Sequence, residues 1–215
     1  MRLSIEQLGL VRGGKWLAAG IDMQVEEGAA LQILGANGSG KTTLIGVLAG
    51  LRRPAAGRVC WCGVDVHAHP EAFRPNLAYV GHTNGVSDDL TVAENIRFAA
   101  RLDGRDGRDS LDGRSERDVI ERAGLGALRA RRVGTLSQGQ RRRVALARLV
   151  ASAKRLWLLD EPVDALDAGA ATWLEDCIAS HLREGGIVVS TTHRPLATAG
   201  VTRRLYLDQA RTWSD

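Results

Sequence analysis

The residues Gly35-Ala36-Asn37-Gly38-Ser39-Gly40-Lys41-Thr42 satisfy the spacing G-x-x-x-x-G-K-[ST]. Each residue type in that run suits the binding of a chain of phosphates. Glycines let successive backbone N–H groups turn inward around phosphate oxygens. A helix starting at Lys41 adds the positive end of its dipole. The Lys41 ammonium reaches the β- and γ-phosphates, and the Thr42 hydroxyl is a ligand for Mg²⁺. The flanks give the motif its context: Ala30–Leu34 is an apolar run of buried-strand type, and Lys41–Leu51 has helix-forming composition. A glycine turn with a purely structural task would need no Lys-Thr pair at its end.

A second group lies far along the chain. Leu156-Trp157-Leu158-Leu159 reads as a buried strand that delivers Asp160 and Glu161 at its C-terminal end, where α/β folds place ligands. Asp160 suits the Mg²⁺ shell. Glu161, just beyond the metal, suits proton acceptance from an attacking water. Apolar strands often end in acids, so this pair gains its meaning from the phosphate loop. A third cluster, Cys60-Trp61-Cys62 followed by His67-Ala68-His69, holds metal-capable side chains but at no spacing that zinc requires. It is read as a strand with two small buried thiols, then a loop with two exposed histidines.

These side chains need a scaffold. Leu3–Leu8 and Ile21–Val25 alternate as strands, Val59–Val66 and Leu77–Val80 read as short strands, and Ile187–Thr191 and Arg204–Leu207 as two more. Thr91 followed by Glu94 is a capping-box signature opening a helix to about Leu102. Ser115–Ala123, Gln138–Ala151 and Ala168–Leu182 read as helices, and Gly104–Gly113 as an exposed charged loop. Strands thus flank a helical block over about residues 83–150, which predicts an α/β core with a helical subdomain inserted in it.

Composition sets bounds. The chain has 215 residues, 44% hydrophobic and 25% charged, which is globular and leaves no room for two nucleotide-binding domains in tandem. No apolar run approaches the roughly 18 residues of a membrane helix, and the N-terminal residues lack the apolar stretch of a secretory signal. Three cysteines make no disulfide framework. The net charge of +4 would suit nucleic acid or an anionic surface. Lys15, Lys41 and Lys154 are the only lysines, however, so the excess is arginine usage and carries little functional weight.

Leu136-Ser137-Gln138-Gly139-Gln140, with the following Arg141-Arg142-Arg143-Val144-Ala145-Leu146-Ala147-Arg148, resembles the signature sequence and helix of the ATP-binding cassette (ABC) ATPases. Asp160-Glu161-Pro162 resembles their second nucleotide motif, Val163-Asp164-Ala165-Leu166-Asp167 their D-loop, and Thr192-His193 their switch histidine. The motifs run in order over essentially the whole chain. The resemblance implies a single domain over 1–215: a P-loop NTPase (RecA-like) α/β core with an N-terminal antiparallel β-subdomain over 1–82 and 151–215, and a helical signature subdomain over 83–150. It implies ATP and Mg²⁺ as ligands and a head-to-tail homodimer around two ATPs. Gly35, Ala36, Asn37, Gly38, Ser39, Gly40, Lys41, Thr42 and Thr43 would hold one nucleotide, completed by Ser137 and Gly139 of the facing copy. Thr42 and Asp160 would bind the metal, with Lys41, Glu161 and His193 carrying the catalysis.

There are departures. The family commonly has a glutamine after the strand at Tyr79-Val80, where this chain reads Gly81-His82-Thr83-Asn84-Gly85. Gln138 stands where glycine is commoner. Val11 and Arg12 lie near the place of the usual adenine-stacking aromatic, and Trp16 is expected to pack into the β-subdomain. Gly81-His82, Leu90-Thr91-Val92-Ala93-Glu94-Asn95 and Thr191-Thr192-His193-Arg194-Pro195-Leu196 resemble the haem-exporter ATPases of cytochrome c maturation. That resemblance implies an integral membrane permease as partner, attachment at the cytoplasmic face of the bacterial inner membrane, haem export, and no nucleic-acid partner. The alternatives are the ATPase of another exporter (drug or lipid), a non-transport ABC protein, and a nucleotide-dependent clamp without catalysis. Intact Lys41, Asp160, Glu161 and His193 argue against the last.

Overall fold

A computed structural model of the chain describes residues 1–102, 116–193 and 200–208. The expected loop Gly104–Gly113, Ser115 and Arg194-Pro195-Leu196 lie outside the described residues. In chain order the first elements are β1 (Arg2–Arg12), β2 (Lys15–Glu26), β3 (Ala29–Leu34), α1 (Lys41–Leu48), β4 (Ala56–Trp61), β5 (Val64–Asp65), α2 (Pro70–Phe73) and β6 (Leu77–Val80). They are followed by α3 (Val92–Leu102), α4 (Glu116–Arg122), α5 (Gln138–Ala151), β7 (Leu156–Asp160), α6 (Ala168–Arg183), β8 (Ile187–Thr191) and β9 (Val201–Tyr206).

β2 alternates between buried and more exposed residues, while β1, between β2 and β4, is buried over Leu3–Ile5 and Leu8–Leu10 on either side of a break at Glu6-Gln7. Gly13-Gly14, both at positive φ, close β1 and β2 into a hairpin. With β4 and β5 they form an antiparallel sheet in the order β2-β1-β4-β5. The second sheet has the order β6-β7-β8-β3-β9, and β7, β8, β3 and β9 run parallel. β3, β7 and β8 are buried along their whole length, as their mainly apolar residues require, and they carry Gln32, Asp160, Ser190 and Thr191 inside with them. Because these strands are parallel, their C-terminal ends share one edge. That edge carries the glycine-rich loop after β3, Asp160 at the end of β7, Thr191 at the end of β8 and Asp208 after β9.

The chain divides into two units. The first takes residues 1–79, 155–162 and the described residues from 178 onward. Its core joins Leu3 and Ile5 of β1, Leu31 of β3, Leu44 of α1, Leu158 of β7 and Val189 of β8. The second takes the described residues of 80–154 together with 163–177. There α3, α4 and α5 pack on one another, burying Ile96, Ile120 and Val144. Thr91 opens α3 with the reciprocal bonds of a capping box to Glu94, and Ser137 does the same for α5 with Gln140.

Four local expectations need correction. α1 stops at Leu48, because Ala49 caps it and Gly50 at φ +70° turns the chain. β9 begins at Val201, before Arg204, since its register on β3 starts at Ala29↔Val201. The short helix α2 was not anticipated; its Pro70 sits at a helix start, where a missing N–H costs nothing. Cys60 is buried as read, but Cys62 is exposed in the turn between β4 and β5. His67 is partly buried and bonded to the Arg52 carbonyl oxygen (2.8 Å), while His69 is exposed. Among the described residues no group of three or more His, Cys, Asp or Glu could hold a metal.

Candidate functional site

The glycine-rich loop ends in a helix start prepared for an anion. Gly40 is the N-cap of α1 at φ +108°, and a Cβ there would fall 3.1 Å from Leu17. Only glycine satisfies both demands. No side chain caps this helix and no acid lies in its first turn, so its first N–H groups keep their positive potential for a ligand. Ser39 Oγ is buried and meets no hydrogen-bond partner among the described residues. Trp16 lies against Gly9 but is 42% exposed, so it sits on the surface of the antiparallel sheet and is not packed into it as expected.

Lys41 is 5% exposed. Its Nζ donates to the carbonyl oxygens of Gly35 (2.9 Å) and Ala36 (3.2 Å) and lies 3.6 Å from Glu161 Oε1. His193 Nε2 approaches the same Glu161 oxygen to 2.8 Å. Glu161 therefore stands between a buried ammonium and an imidazole. Its backbone is at φ +48°, a conformation uncommon outside glycine. The bond from Glu161 N–H to Thr191 Oγ1 (2.9 Å) holds it there. The same Thr191 hydroxyl donates to Asp160 Oδ1 at 2.6 Å, and Asp160 is 2% exposed.

Thr42 Oγ1 reaches Asp160 Oδ1 at 3.4 Å. A hydroxyl and a carboxylate oxygen are the hard donors that Mg²⁺ takes when it keeps phosphate and water for its other positions. The donor set fits that ion.

Lys41, Thr42, Asp160, Glu161 and His193, far apart in sequence, thus meet in the first unit. Two further residues join them that the sequence analysis did not assign. Thr191 reads from sequence as the end of a strand and as part of a family-like run, with no site role, and the register of β8 on β7 sets it opposite Asp160. Asp208 Oδ2 accepts from Ala36 N–H at 2.9 Å and so fixes the entry of the phosphate loop. Its one signal was its place just after a strand, the same as that of Asp160.

Ser137 and Gly139 belong to the second unit. Ser137 Oγ accepts from Gln140 N–H, which leaves its own O–H free to donate to a ligand. A Cβ on Gly139 would lie 2.7 Å from the Ala165 carbonyl oxygen, so α5 and the 163–167 segment touch where only glycine fits. An ion pair of Arg143 with Asp167 closes the same contact.

A buried lysine beneath a glycine loop, a Thr-Asp oxygen pair and a glutamate backed by histidine can together bind a nucleoside triphosphate and activate water against it. The family described as ABC transporter matches residues 18–164. The cytochrome c biogenesis ATP-binding export protein CcmA of Paraburkholderia xenovorans is 57% identical over 99% of this chain and 100% of the relative. Among solved structures, an ATP-binding protein of Pyrococcus furiosus assigned to the ABC transporters superposes with a TM-score of 0.80 at 26% identity, covering 95% of this chain and 98% of that one. The dimeric bacterial ABC transporter cassette MJ0796 superposes at 0.79 and 23% identity, covering 95% and 94%. A match of this extent and a relative this similar along its whole length place the chain in the ABC transporter ATPases and, within them, in the CcmA family.

Proposed function

We propose that the chain is the ATP-hydrolysing subunit of an export complex of cytochrome c biogenesis. Two copies close around two ATPs and drive an integral membrane permease that moves haem or remodels a haem-chaperone complex. Similarity to the cytochrome c biogenesis export protein of Paraburkholderia xenovorans supports the pathway. The observation that carries the chemistry is Glu161 Oε1 standing 2.8 Å from His193 Nε2 and 3.6 Å from Lys41 Nζ at the mouth of the phosphate loop.

In this reading residues 1–215 form one catalytic domain, and residues 35–43 cradle the phosphates. Lys41 exchanges the Gly35 and Ala36 carbonyls for β- and γ-phosphate oxygens. Thr42 and Asp160 would hold Mg²⁺, which when bound neutralises charge on those oxygens. Water attacks the γ-phosphorus in line and passes its proton to Glu161. The bond from the γ-phosphorus to the bridging oxygen breaks, and its electron pair leaves on ADP. His193 holds Glu161 and contacts the γ-phosphate. The Ser137 hydroxyl and the N–H groups at Gly139, contributed by the facing copy, stabilise charge on the transferred group. Loss of the γ-phosphate releases the dimer.

No described helix is long and apolar enough to cross a membrane, so membrane work on this reading passes through the permease at the cytoplasmic face. No nucleic-acid partner is invoked. The test uses a tagged Glu161→Gln variant, membranes of the native host solubilised in mild detergent with ATP, and the absorption spectrum of what co-purifies. A small permease, cytochrome c maturation proteins and a haem band are expected. A different permease without haem would overturn the haem assignment, and ribosomal proteins with no permease would overturn transport.

A further inference from the structure

We propose that Arg142 is a positioning residue that ties the Gly81–Gly85 loop to the Ser137 end of α5, so that loop and phosphate-contacting helix end move as one body. All the groups concerned lie in the second unit. The Arg142 side chain is buried, at 5% exposure. Its Nη1 donates to the Gly81 carbonyl oxygen at 2.7 Å and to Asn84 Oδ1 at 3.1 Å. Six residues along the same helix, Arg148 Nη1 donates to the Gly85 carbonyl oxygen. One helix thus grips both ends of a five-residue loop through its arginines, while the loop's tip, His82-Thr83, faces solvent.

The energetics make this a strap. A buried guanidinium is costly to leave unsatisfied, and its planar fork holds its acceptors at fixed angles. A shift of the loop away from α5 would break the bonds to the Gly81 carbonyl and to Asn84 together. Arg142 sits little more than one helical turn from the N-cap Ser137, so movement of the loop is delivered to the helix end with little slack. The neighbouring Arg141 bonds the Gly134 carbonyl oxygen (2.9 Å) and pairs with Asp88 (3.4 Å), both in half-exposed or exposed surroundings. Its loss should therefore be mild.

The proposal rests on the reading of Ser137 and Gly139 as contacts to the nucleotide of the facing copy. Its test is a double-mutant cycle in the Glu161→Gln background, read as the ATP concentration that gives half-maximal dimer in light scattering. Binding of a fluorescent ATP analogue to the monomer is followed in parallel. Arg142→Lys keeps the charge and loses the fork. It should raise the dimerisation midpoint about tenfold or more, as expected for losing a charged hydrogen bond, with monomer binding within about twofold. Asn84→Ala should raise the midpoint less, and the double variant should be no worse than Arg142→Lys, because both changes cut the same strap. Arg141→Lys should shift it by less than about threefold.

Were Arg142→Lys to fold poorly, Asn84→Ala alone would still have to shift the midpoint while leaving monomer binding intact. An unchanged midpoint in either variant, or effects that multiply in the double variant, overturns the strap. A Glu161→Gln parent that stays monomeric at saturating ATP overturns the two-copy reading and the proposal with it.

Discussion

His181 should make this protein acid-labile, by an amount the structure allows to be worked out. Its ring lies on Trp157 of β7, with centroids 3.9 Å apart and planes 8° from parallel. Nε2 is buried and finds no hydrogen-bond partner among the described residues. Burial, opposed in part by hydrogen bonding to the backbone at Arg155 and Ile187, lowers its pKa from 6.5 to about 4. The native ring is therefore neutral over a range in which the unfolded chain takes up a proton. Between those two values the unfolded state binds more protons, so stability rises with pH and is lost as pH falls. Linkage gives a loss of about 2 kcal/mol at pH 5 relative to pH 8, and about 3 kcal/mol by pH 4. The assay is urea unfolding, followed by circular dichroism at intervals from pH 8 to pH 5, on the wild type and on His181→Phe. Phenylalanine keeps the stack and removes both nitrogens. Its plateau at pH 8 should be lower, because the backbone hydrogen bonds are lost, but its slope below pH 6.5 should be shallower by about that 2 kcal/mol. Parallel curves for the two proteins would refute the argument.

The remaining predictions concern the nucleotide site. Lys41→Ala should abolish turnover and productive ATP binding in a coupled phosphate-release assay, and wild-type turnover would refute the phosphate-loop assignment. Glu161→Gln should bind ATP, hydrolyse it at least about a hundredfold more slowly, and run as a dimer on size exclusion with ATP; loss of a general base is worth this much. Gly139→Ala drives a Cβ to 2.7 Å from the Ala165 carbonyl oxygen. It should lower kcat at least about tenfold while monomer ATP affinity holds, since overpacking against backbone costs roughly 1–3 kcal/mol; unaltered kinetics would mean the two segments separate freely. Thr191→Val should lower kcat by about tenfold or more with KM nearly unchanged, and Thr191→Ser should restore it, because only the hydroxyl is at issue.

The parts of this molecule that could be read from sequence are those whose chemistry is local. The phosphate loop sets its residue types within eight consecutive positions, 35–42. The bounds of α5 agree with the reading at both ends, because Ser137 and Gln140 build its cap from residues three apart. Chain punctuation was less dependable. Gly50 ended α1 early, and the exposed position of Cys62 follows from the turn between β4 and β5, which periodicity does not encode. Asp208 and Thr191 were illegible as site residues because strand register brings them there. Leu207 N–H bonds to the Leu34 carbonyl oxygen, which sets Asp208 beside Ala36 across a separation of 172 residues. Nothing in either segment announces that pairing.

The same register explains how the site manages its carboxylates. Two adjacent acids at a strand end would ordinarily point to opposite faces. Here the chain turns into left-handed φ at Glu161, and that turn brings its carboxylate round to Lys41 and His193 while Asp160 stays against Thr42. Such a backbone costs of order 1–3 kcal/mol unless its surroundings fix it. Thr191 supplies the constraint with one hydroxyl, which accepts from Glu161 N–H and donates to Asp160. The division of labour between a metal-binding acid and a water-activating acid is therefore set by a third residue on the neighbouring strand. It holds only while β7 and β8 keep the pairing Asp160↔Thr191. A slip of one residue along that pair would turn the hydroxyl to the opposite face and release both acids at once.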